Sequence, residues 1–232
     1  YPYQLEGIKF LCERQSALLG DDMGTGKTVQ SIYAARLLFQ KGKIQKALVL
    51  VPLSVLAHWD KELERWAPEL RVSVVRGDVR FREVCWQIPV HVYVTTYETF
   101  RQDAERIPKL LGNTFDLVIC DEAQRIKNPS SGISRTVRQL NPKYRWALTG
   151  TPIENHLEEL VAIFKFVKPG LFKESLVSFS EARDLIKPYF LRRRRSEVLK
   201  DLPDKQEFTI WLSLGDKQQQ TYNKLERERV IK

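Results

Sequence analysis

The sequence has few of the features that mark membrane, secreted or repetitive proteins. No apolar run among its 232 residues is long enough to span a bilayer, and no cleavable leader is visible. The three cysteines, Cys12, Cys85 and Cys120, follow neither a disulfide pairing pattern nor a metal-ligand spacing. Internal repeats and low-complexity segments are also missing. These absences exclude a disulfide-stapled module and a repeat array, and they predict reduced cysteines in a cytoplasmic protein without membrane contact.

The composition is that of an ordinary globular chain. Hydrophobic residues make up 43% and charged residues 29%, and the length suffices for one large α/β domain with or without an appendage. Lys and Arg outnumber Asp and Glu by 38 to 29, which gives a net charge of +9. That excess favours a polyanionic partner such as nucleic acid, although a solvated basic surface would have the same composition.

A glycine-rich stretch, Gly20–Thr28, predicts a phosphate-binding loop. Glycines let backbone N–H groups wrap around phosphate oxygens, Lys27 supplies a positive charge, and the Thr28 hydroxyl can reach Mg²⁺. The strict pattern has glycine where this chain has Asp21. The setting nevertheless fits, because a short apolar strand (16–20) precedes the loop and helical apolar spacing follows it. The alternative is an ordinary turn with a solvated lysine.

Strands and helices alternate through the first two thirds of the chain. Apolar segments typical of buried strands recur, and segments that can form crossover helices separate them: 16–20, 47–51, 72–75, 90–95, 117–120 and 145–149. This alternation predicts an α/β fold, a parallel sheet with helices on both faces. Ligands of such sheets bind beyond the carboxyl ends of the strands. From residue 154 a helical stripe replaces the alternation, and a basic, mainly helical stretch follows.

An acidic pair, Asp121–Glu122, ends the apolar segment 117–120. The first carboxylate can hold Mg²⁺ while the second polarises an attacking water, which divides metal binding from general-base work. The alternative is a solvated acidic turn. Because a Lys-Thr loop lies upstream in the same strand-loop-helix setting, the pair predicts an ATP hydrolase.

The ordered motifs resemble those of the Swi/Snf-type ATPases, which are superfamily-two, helicase-like motors that translocate on double-stranded DNA. The resemblance covers nearly the whole chain. It rests on the segments 3–7, 22–28, 50–59, 121–128, 148–155 and 191–205. It implies a RecA-like first motor lobe at 1–153, a helical protrusion with an Arg-rich return segment at 154–204, and the start of a connection to a second lobe at 205–232.

The resemblance also implies ATP and Mg²⁺ as cofactors and assigns roles in the nucleotide site. Lys27, Asp121, Glu122 and Gln124 are the implied catalytic residues, with Glu122 as general base. Thr28 and Asp121 are the implied Mg²⁺ ligands, and Gln4 is implied to read the adenine edge. The implied ATP-binding set is Gln4, Asp22, Met23, Gly24, Thr25, Gly26, Lys27 and Thr28.

Two residues depart from the family pattern. Gln124 stands where the family usually has histidine, so the contact implied with the segment 149–151 falls to an amide, which can donate and accept hydrogen bonds but cannot become a cation near neutral pH. Thr25 stands where the family commonly has leucine, which leaves the phosphate geometry intact.

The resemblance places one DNA phosphate backbone along three strand ends. The implied contacts are neutral donors, which hold phosphates without reading bases: Pro52, Leu53, Ser54, Thr95, Thr96, Tyr97, Gly150 and Thr151. Strand-end packing is the alternative for Thr95–Tyr97. His58 and Trp59 are assigned to helix-face packing. The run Arg192–Arg195 is assigned an interdomain, regulatory role, with phosphate contact as its alternative.

The expected partners are double-stranded DNA and a second lobe of the same polypeptide, and a monomer is expected. The expected location is the cytoplasm of a prokaryote, at the nucleoid, or the nucleus of a eukaryote. Two other functions fit the same motifs. One is a lobe of an RNA or single-strand-unwinding helicase, and the other is an ATP-dependent regulator that does not hydrolyse ATP.

The 232-residue chain alone is expected to bind ATP but to be nearly inactive as an ATPase. The second lobe of such motors supplies arginines to the γ-phosphate, and an arginine finger is worth roughly 10³–10⁵ in rate. The check is to compare the duplex-stimulated ATPase rate of this chain with that of a chain extended through the second lobe. Equal rates would contradict the expectation.

Overall fold

The computed structural model describes residues 1–150, 157–172, 179–198 and 212–227. Contacts divide the chain into two compact units, 1–199 and 200–232. The second unit contains the helix Asp216–Arg227. The predicted division at 153 and 204 stays a prediction, and both positions lie outside the described residues.

A parallel sheet forms the centre of the first unit, as predicted. Its seven strands are β1 (Ser16–Leu19), β2 (Ala47–Val51), β3 (Val72–Val75), β4 (Val92–Thr96), β5 (Leu117–Cys120), β6 (Tyr144–Leu148) and β7 (Phe190–Leu191). They lie in the order β3-β4-β2-β5-β6-β1-β7, and every neighbouring pair is parallel. The edge strand β7 was not predicted, since it is two residues long and lies in a stretch assigned to helices.

Helices connect the strands and cover both faces of the sheet. In the first unit the helices are α1 (Pro2–Cys12), α2 (Lys27–Gln40), α3 (Leu56–Trp66), α4 (Val79–Gln87), α5 (Tyr97–Arg106), α6 (Gly132–Arg138), α7 (Leu157–Val167), α8 (Phe179–Ile186) and α9 (Arg195–Val198). The helix of the second unit, Asp216–Arg227, is α10. Within the described ranges, no helix is both long and apolar enough to cross a membrane.

Two hydrophobic clusters lie on opposite faces because successive strand side chains point in opposite directions. In β2, Leu48 and Leu50 join the cluster beneath α4 to α8, whereas Val49 and Val51 join the cluster beneath α1 to α3. All five residues of β2 are buried. A strand buried on both faces reads as an uninterrupted apolar run, and this is why the sequence pattern located it.

A buried ion pair joins α4 to α5 near the outer edge of the sheet. The Arg82 guanidinium donates to both carboxylate oxygens of Asp103 at 2.8–3.0 Å, and the Trp86 indole N–H donates to Asp103 Oδ2 at 2.8 Å. The side chains of Arg82 and Asp103 are only 9% and 4% exposed. Each charge therefore depends on the other for its stability in the interior.

Asp103→Asn is expected to lower the free energy of unfolding by about 3 kcal/mol, because it leaves the Arg82 cation buried without its counter-charge. Glu105→Gln is the matched control, since its exposed pair with Arg101 on the same helix contributes at most about 0.5 kcal/mol. Urea unfolding measures both variants. Similar values for the two would show that burial of the pair has no energetic weight.

Candidate functional site

The strands that carry the predicted nucleotide motifs are neighbours in the sheet. β5, β6 and β1 lie side by side, so the residues that follow them meet at one edge. The Thr149 N–H donates to the Leu19 carbonyl at 3.0 Å, which sets the end of β6 against the start of the phosphate loop. The Asp121 N–H donates to the Leu50 carbonyl at 2.9 Å, so the acidic pair begins beside β2.

The phosphate loop runs from Gly20 to Gly26 and delivers the chain into α2. Gly24 and Gly26 have φ of 81° and 77°, a left-handed conformation that favours glycine. Gly26 is the N-cap of α2, so the first free N–H groups of that helix face the loop. Thr25 is fully buried, and its hydroxyl donates to the Asp22 carbonyl at 2.9 Å. Thr25, which stands where the family commonly has leucine, thus closes the loop by a bond within the loop itself.

The Lys27 ammonium group lies over this loop. It donates to the carbonyls of Asp21 and Asp22 at 2.7 and 3.0 Å. Burial lowers the pKa of Lys27, whereas the negative charges of Glu122 and Asp21 favour the charged form. Asp121 and Asp22 also act on the Lys27 charge, and this concentration of charged groups is typical of a phosphate and metal site.

The Gln4 side chain of α1 lies against the phosphate loop. Its amide donates to the Thr25 carbonyl at 3.3 Å. A Cβ atom at Gly26 would come within 2.5 Å of Gln4 Nε2, so the Gln4 amide lies directly against the loop backbone. The contact places Gln4 at the rim of the loop. Its implied role in reading adenine stays a prediction.

Asp121 is buried, and both of its carboxylate oxygens accept hydrogen bonds. The Trp59 indole N–H donates to Oδ2 at 2.7 Å, and the Glu122 N–H donates to Oδ1 at 2.9 Å. The Tyr97 hydroxyl donates to the Asp121 carbonyl oxygen at 2.7 Å. Burial raises the pKa of Asp121, and the hydrogen bond from Trp59 opposes this by stabilising the carboxylate. Side chains from α3 and α5 therefore orient the predicted metal ligand.

Glu122 has the one left-handed backbone among the described non-glycine residues, with φ 47° and ψ 58°. A glutamate in this conformation costs about 1–3 kcal/mol, and such residues cluster at functional sites. A short 3-10 helix, Ala123–Ile126, follows at once. The sharp turn places the Glu122 side chain beside that of Gln124 at the edge of the sheet.

Gln124 bridges the acidic pair and the end of β6. Its amide N–H donates to Glu122 Oε2 at 2.9 Å, and its amide oxygen accepts from the Thr149 hydroxyl at 3.2 Å. A primary amide can make both bonds at once because it is a donor and an acceptor. The next residue, Gly150, lies against the phosphate loop, since a Cβ atom there would be 2.7 Å from Met23 Cγ and 3.3 Å from Lys27 Nζ. The motif after β6 thus touches the acidic pair and the phosphate loop.

The residues present fit Mg²⁺ bound together with nucleotide phosphates. In the described part of the chain, no group of three or more His, Cys, Asp or Glu side chains could hold a metal alone. Mg²⁺ is commonly held by one or two carboxylates with substrate phosphates and waters. The Asp121 carboxylate and the Thr28 hydroxyl are donors of that kind.

The predicted nucleic-acid residues differ in exposure. Leu53 is 75% exposed, Ser54 is exposed, and Pro52 is half-buried. Thr95, Thr96 and Tyr97 are buried and bond internally: the Thr95 hydroxyl donates to Val75, the Thr96 hydroxyl caps α5, and Tyr97 bonds to Asp121. Thr151 lies outside the described residues. The assignment of these residues to DNA stays a prediction.

Sequence reasoning missed the part that Trp59 plays in the site. Trp59 is fully buried, as a packing residue should be, but its indole N–H also holds Asp121. The packing assignment was wrong for His58, which is exposed. A buried indole usually finds an acceptor for its N–H, and that requirement is the only signal the sequence carried. Nothing in the spacing of residues 59 and 121 identifies the acceptor.

Comparisons with known proteins match this arrangement. Residues 3–232 match the SNF2-related domain. A zebrafish (Danio rerio) relative, "Chromodomain-helicase-DNA-binding protein 1-like", is 34% identical over 95% of this chain and 24% of its own length. An "Uncharacterized ATP-dependent helicase" of Mycoplasma pneumoniae is 34% identical over 99% of this chain and 24% of its own length.

A solved structure agrees in fold. The Sulfolobus solfataricus SWI2/SNF2 ATPase core in complex with dsDNA is 33% identical, with a TM-score of 0.73, over 98% of this chain and 52% of that one. The chain thus spans about a quarter of the curated relatives and about half of the solved core. Because the family match extends over residues 3–232, this chain belongs to the SNF2-related domain family.

Proposed function

We propose that this chain is the ATP-binding lobe of a motor that hydrolyses ATP and moves along double-stranded DNA. The observation that carries the proposal is the hydrogen-bonded series Glu122–Gln124–Thr149, which ends beside the phosphate loop. This series links the predicted general base to the turn after β6, which lies in contact with the phosphate loop. A protein that only bound ATP would need neither the base nor the link.

The residues at the edge divide the work of hydrolysis. The N-terminus of α2 and Lys27 bind and orient the phosphates. Glu122 accepts a proton from the attacking water, and Gln124 holds the Glu122 carboxylate in place by donating to it. When bound, Mg²⁺ neutralises phosphate charge, with Thr28 and Asp121 as its protein ligands. Trp59 keeps the Asp121 carboxylate oriented for that role.

Duplex DNA is the proposed track. A structural relative of this chain was solved in complex with dsDNA, and the net charge of +9 favours a polyanion. Leu53 and Ser54 are exposed beyond β2, next to the end of β4 in the sheet. Since the side chains of Thr95, Thr96 and Tyr97 bond internally, the DNA contacts of this segment would come from main-chain N–H groups at the start of α5, which begins at Tyr97. Such groups hold phosphates at any sequence.

The proposed motor needs a second lobe, which we place in the same polypeptide. The solved core is about twice as long as the part that this chain covers. The second lobe would complete the ATP site by supplying arginines to the γ-phosphate. We propose a monomer that acts where duplex DNA lies, at the nucleoid of a prokaryote or in the nucleus of a eukaryote.

Glu122→Gln in the full-length protein is expected to keep ATP affinity within about twofold and to lower the duplex-stimulated ATPase rate at least about 100-fold. Loss of a general base costs 10²–10⁴ in rate, whereas the neutral amide leaves the phosphate contacts intact. Steady-state ATPase assays and equilibrium ATP binding measure the two effects. Duplex DNA, single-stranded DNA and RNA of matched sequence serve as activators.

Each outcome separates the proposed function from its rivals. Stimulation of the wild type by duplex DNA supports the proposal. Stronger stimulation by RNA or single-stranded DNA would contradict it in favour of an unwinding helicase. ATP binding without any stimulated hydrolysis would contradict it in favour of a regulator.

Trp59→Phe in the full-length protein is expected to raise the Mg²⁺ concentration required for ATP binding and for hydrolysis about tenfold. The variant keeps an aromatic ring but removes the N–H that orients Asp121, and loss of such supporting bonds typically costs 10- to 100-fold in metal affinity or activity. Mg²⁺ titrations of ATP binding and of ATPase rate test this directly.

Trp66→Phe is the matched control for Trp59→Phe. The Trp66 indole N–H donates to Glu62 within the same helix, away from Asp121. We expect this variant to keep the wild-type Mg²⁺ dependence. An equal shift in both variants, or none in Trp59→Phe, would show that the bond to Asp121 does not position the carboxylate.

A further inference from the structure

Arg193 is largely buried, unlike the two arginines that follow it. Its side chain is 11% exposed, whereas Arg194 and Arg195 are exposed. The backbone around it runs beside the entry to the phosphate loop. β7 pairs with β1, and the ladder continues as Gly20 N–H donates to Leu191 and Asp22 N–H donates to Arg193, at 2.8 and 3.2 Å. The return segment, residues 190–195, therefore adds a strand edge to the loop.

The Arg193 guanidinium neutralises Asp21, a fully buried carboxylate. Nε donates to Oδ1 at 3.1 Å and Nη2 donates to Oδ2 at 2.5 Å, and the Arg193 backbone N–H adds a bond to Oδ1 at 3.0 Å. Asp21 has no exposed surface. A carboxylate in this position is tolerated only if it is paired and hydrogen-bonded, and Arg193 supplies both conditions. The departure from glycine at position 21 thus has its partner 172 residues away.

The same guanidinium reaches the two helices beside the loop. Nη2 donates to Gln30 Oε1 of α2 at 3.1 Å, and Nη1 donates to the Tyr3 carbonyl of α1. Gln30 is fully buried, and its own amide donates to the Thr25 carbonyl at 3.2 Å. That carbonyl also accepts from Gln4. Arg193 therefore supports the loop directly through Asp21 and indirectly through Gln30.

We propose that Arg193 is a positioning residue for the nucleotide site, and that docking of the return segment through Arg193 sets the geometry and hence the nucleotide affinity of the phosphate loop. The inference rests on the proposed function, because it concerns the same ATP site. Linkage makes the effect reciprocal: if docking strengthens nucleotide binding, nucleotide binding must stabilise docking. Arg193 itself does not contact the reacting atoms.

Nucleotide affinity of the full-length protein tests the first half of the proposal. The probe is a fluorescent N-methylanthraniloyl ADP, titrated against wild type, Arg193→Gln, Arg193→Lys and Arg194→Gln. We expect Arg193→Gln to weaken binding about tenfold. Arg193→Lys keeps the charge but not the paired geometry, and it is expected to weaken binding less. Arg194→Gln removes the same charge from the exposed neighbour and should bind as the wild type does.

A double-mutant cycle with Asp21 separates pairing from general damage. Asp21→Asn should weaken binding by at most as much as Arg193→Gln, because Arg193 also donates to Gln30 and to the Tyr3 carbonyl. The double variant should bind no more weakly than Arg193→Gln, because the loss of the Asp21–Arg193 pair is already counted in that variant. Melting temperatures of each variant show whether it is folded. If Arg193→Gln does not fold, the Arg193→Lys and Arg194→Gln comparison still decides.

Hydrogen exchange of the return segment tests whether nucleotide binding stabilises docking, an effect that a merely structural role of Arg193 would not produce. ADP should slow amide exchange in residues 190–195 of the wild type, and it should slow this exchange less in folded Arg193→Lys. Wild-type affinity in folded Arg193 variants, an additive cycle, or unchanged exchange with ADP would overturn the inference.

The outcome for the proposed function is read from the wild type alone. Stimulated hydrolysis by a wild type whose Arg193 variants bind nucleotide normally overturns the inference and leaves the proposed function standing. A wild type that binds no adenine nucleotide overturns both. A wild type that binds ADP with the expected Arg193 dependence, but shows no stimulated hydrolysis, supports the inference and overturns the proposed motor function.

Discussion

All seven strands run in one direction, and the site depends on that constraint. In a parallel sheet every carboxyl end lies at the same edge, so residues far apart in sequence meet there. The order of the strands then decides which motifs touch. Because β6 lies between β5 and β1, the turn after β6 can contact both the acidic pair and the phosphate loop. The strands β2 and β4 lie on the other side of β5, away from β6 and the phosphate loop.

Burying charged side chains at one edge of the sheet is energetically unfavourable, and hydrogen-bond donors around the carboxylates offset this penalty. Asp21 and Asp121 are both removed from water. Asp21 is neutralised by Arg193, and Asp121 accepts hydrogen bonds from Trp59 and the Glu122 backbone. A buried carboxylate held in this way keeps one orientation, because any other would leave a polar group unsatisfied. Preorganisation of the site thus follows from the same bonds that make burial of the charges tolerable.

Strands and motifs were predictable from sequence because their signals are local. β2, β3 and β5 have the predicted bounds, and β1, β4 and β6 differ by a residue or two. Apolar runs between turn residues suffice to locate such strands. The edge strand β7 carries no such run. It is held in place by its pairing with β1 and by the backbone bonds from Gly20 and Asp22 to Leu191 and Arg193. The packing of Trp59 on a helix face was also predicted, but the bond from Trp59 to Asp121 joins residues 62 positions apart and leaves no periodic signal in the sequence.

By itself, the sequence determined the fold class and the family, and it predicted the residues that handle phosphate and Mg²⁺. These properties depend on residue type and short spacing, both of which are local. Only the tertiary structure decided which group orients Asp121, how Gln124 can serve as a bridge, and why Asp21 is tolerated in the phosphate loop. In each case the answer is a partner distant in the chain, chosen because a buried charge or donor must be satisfied by whichever group the packing brings within reach.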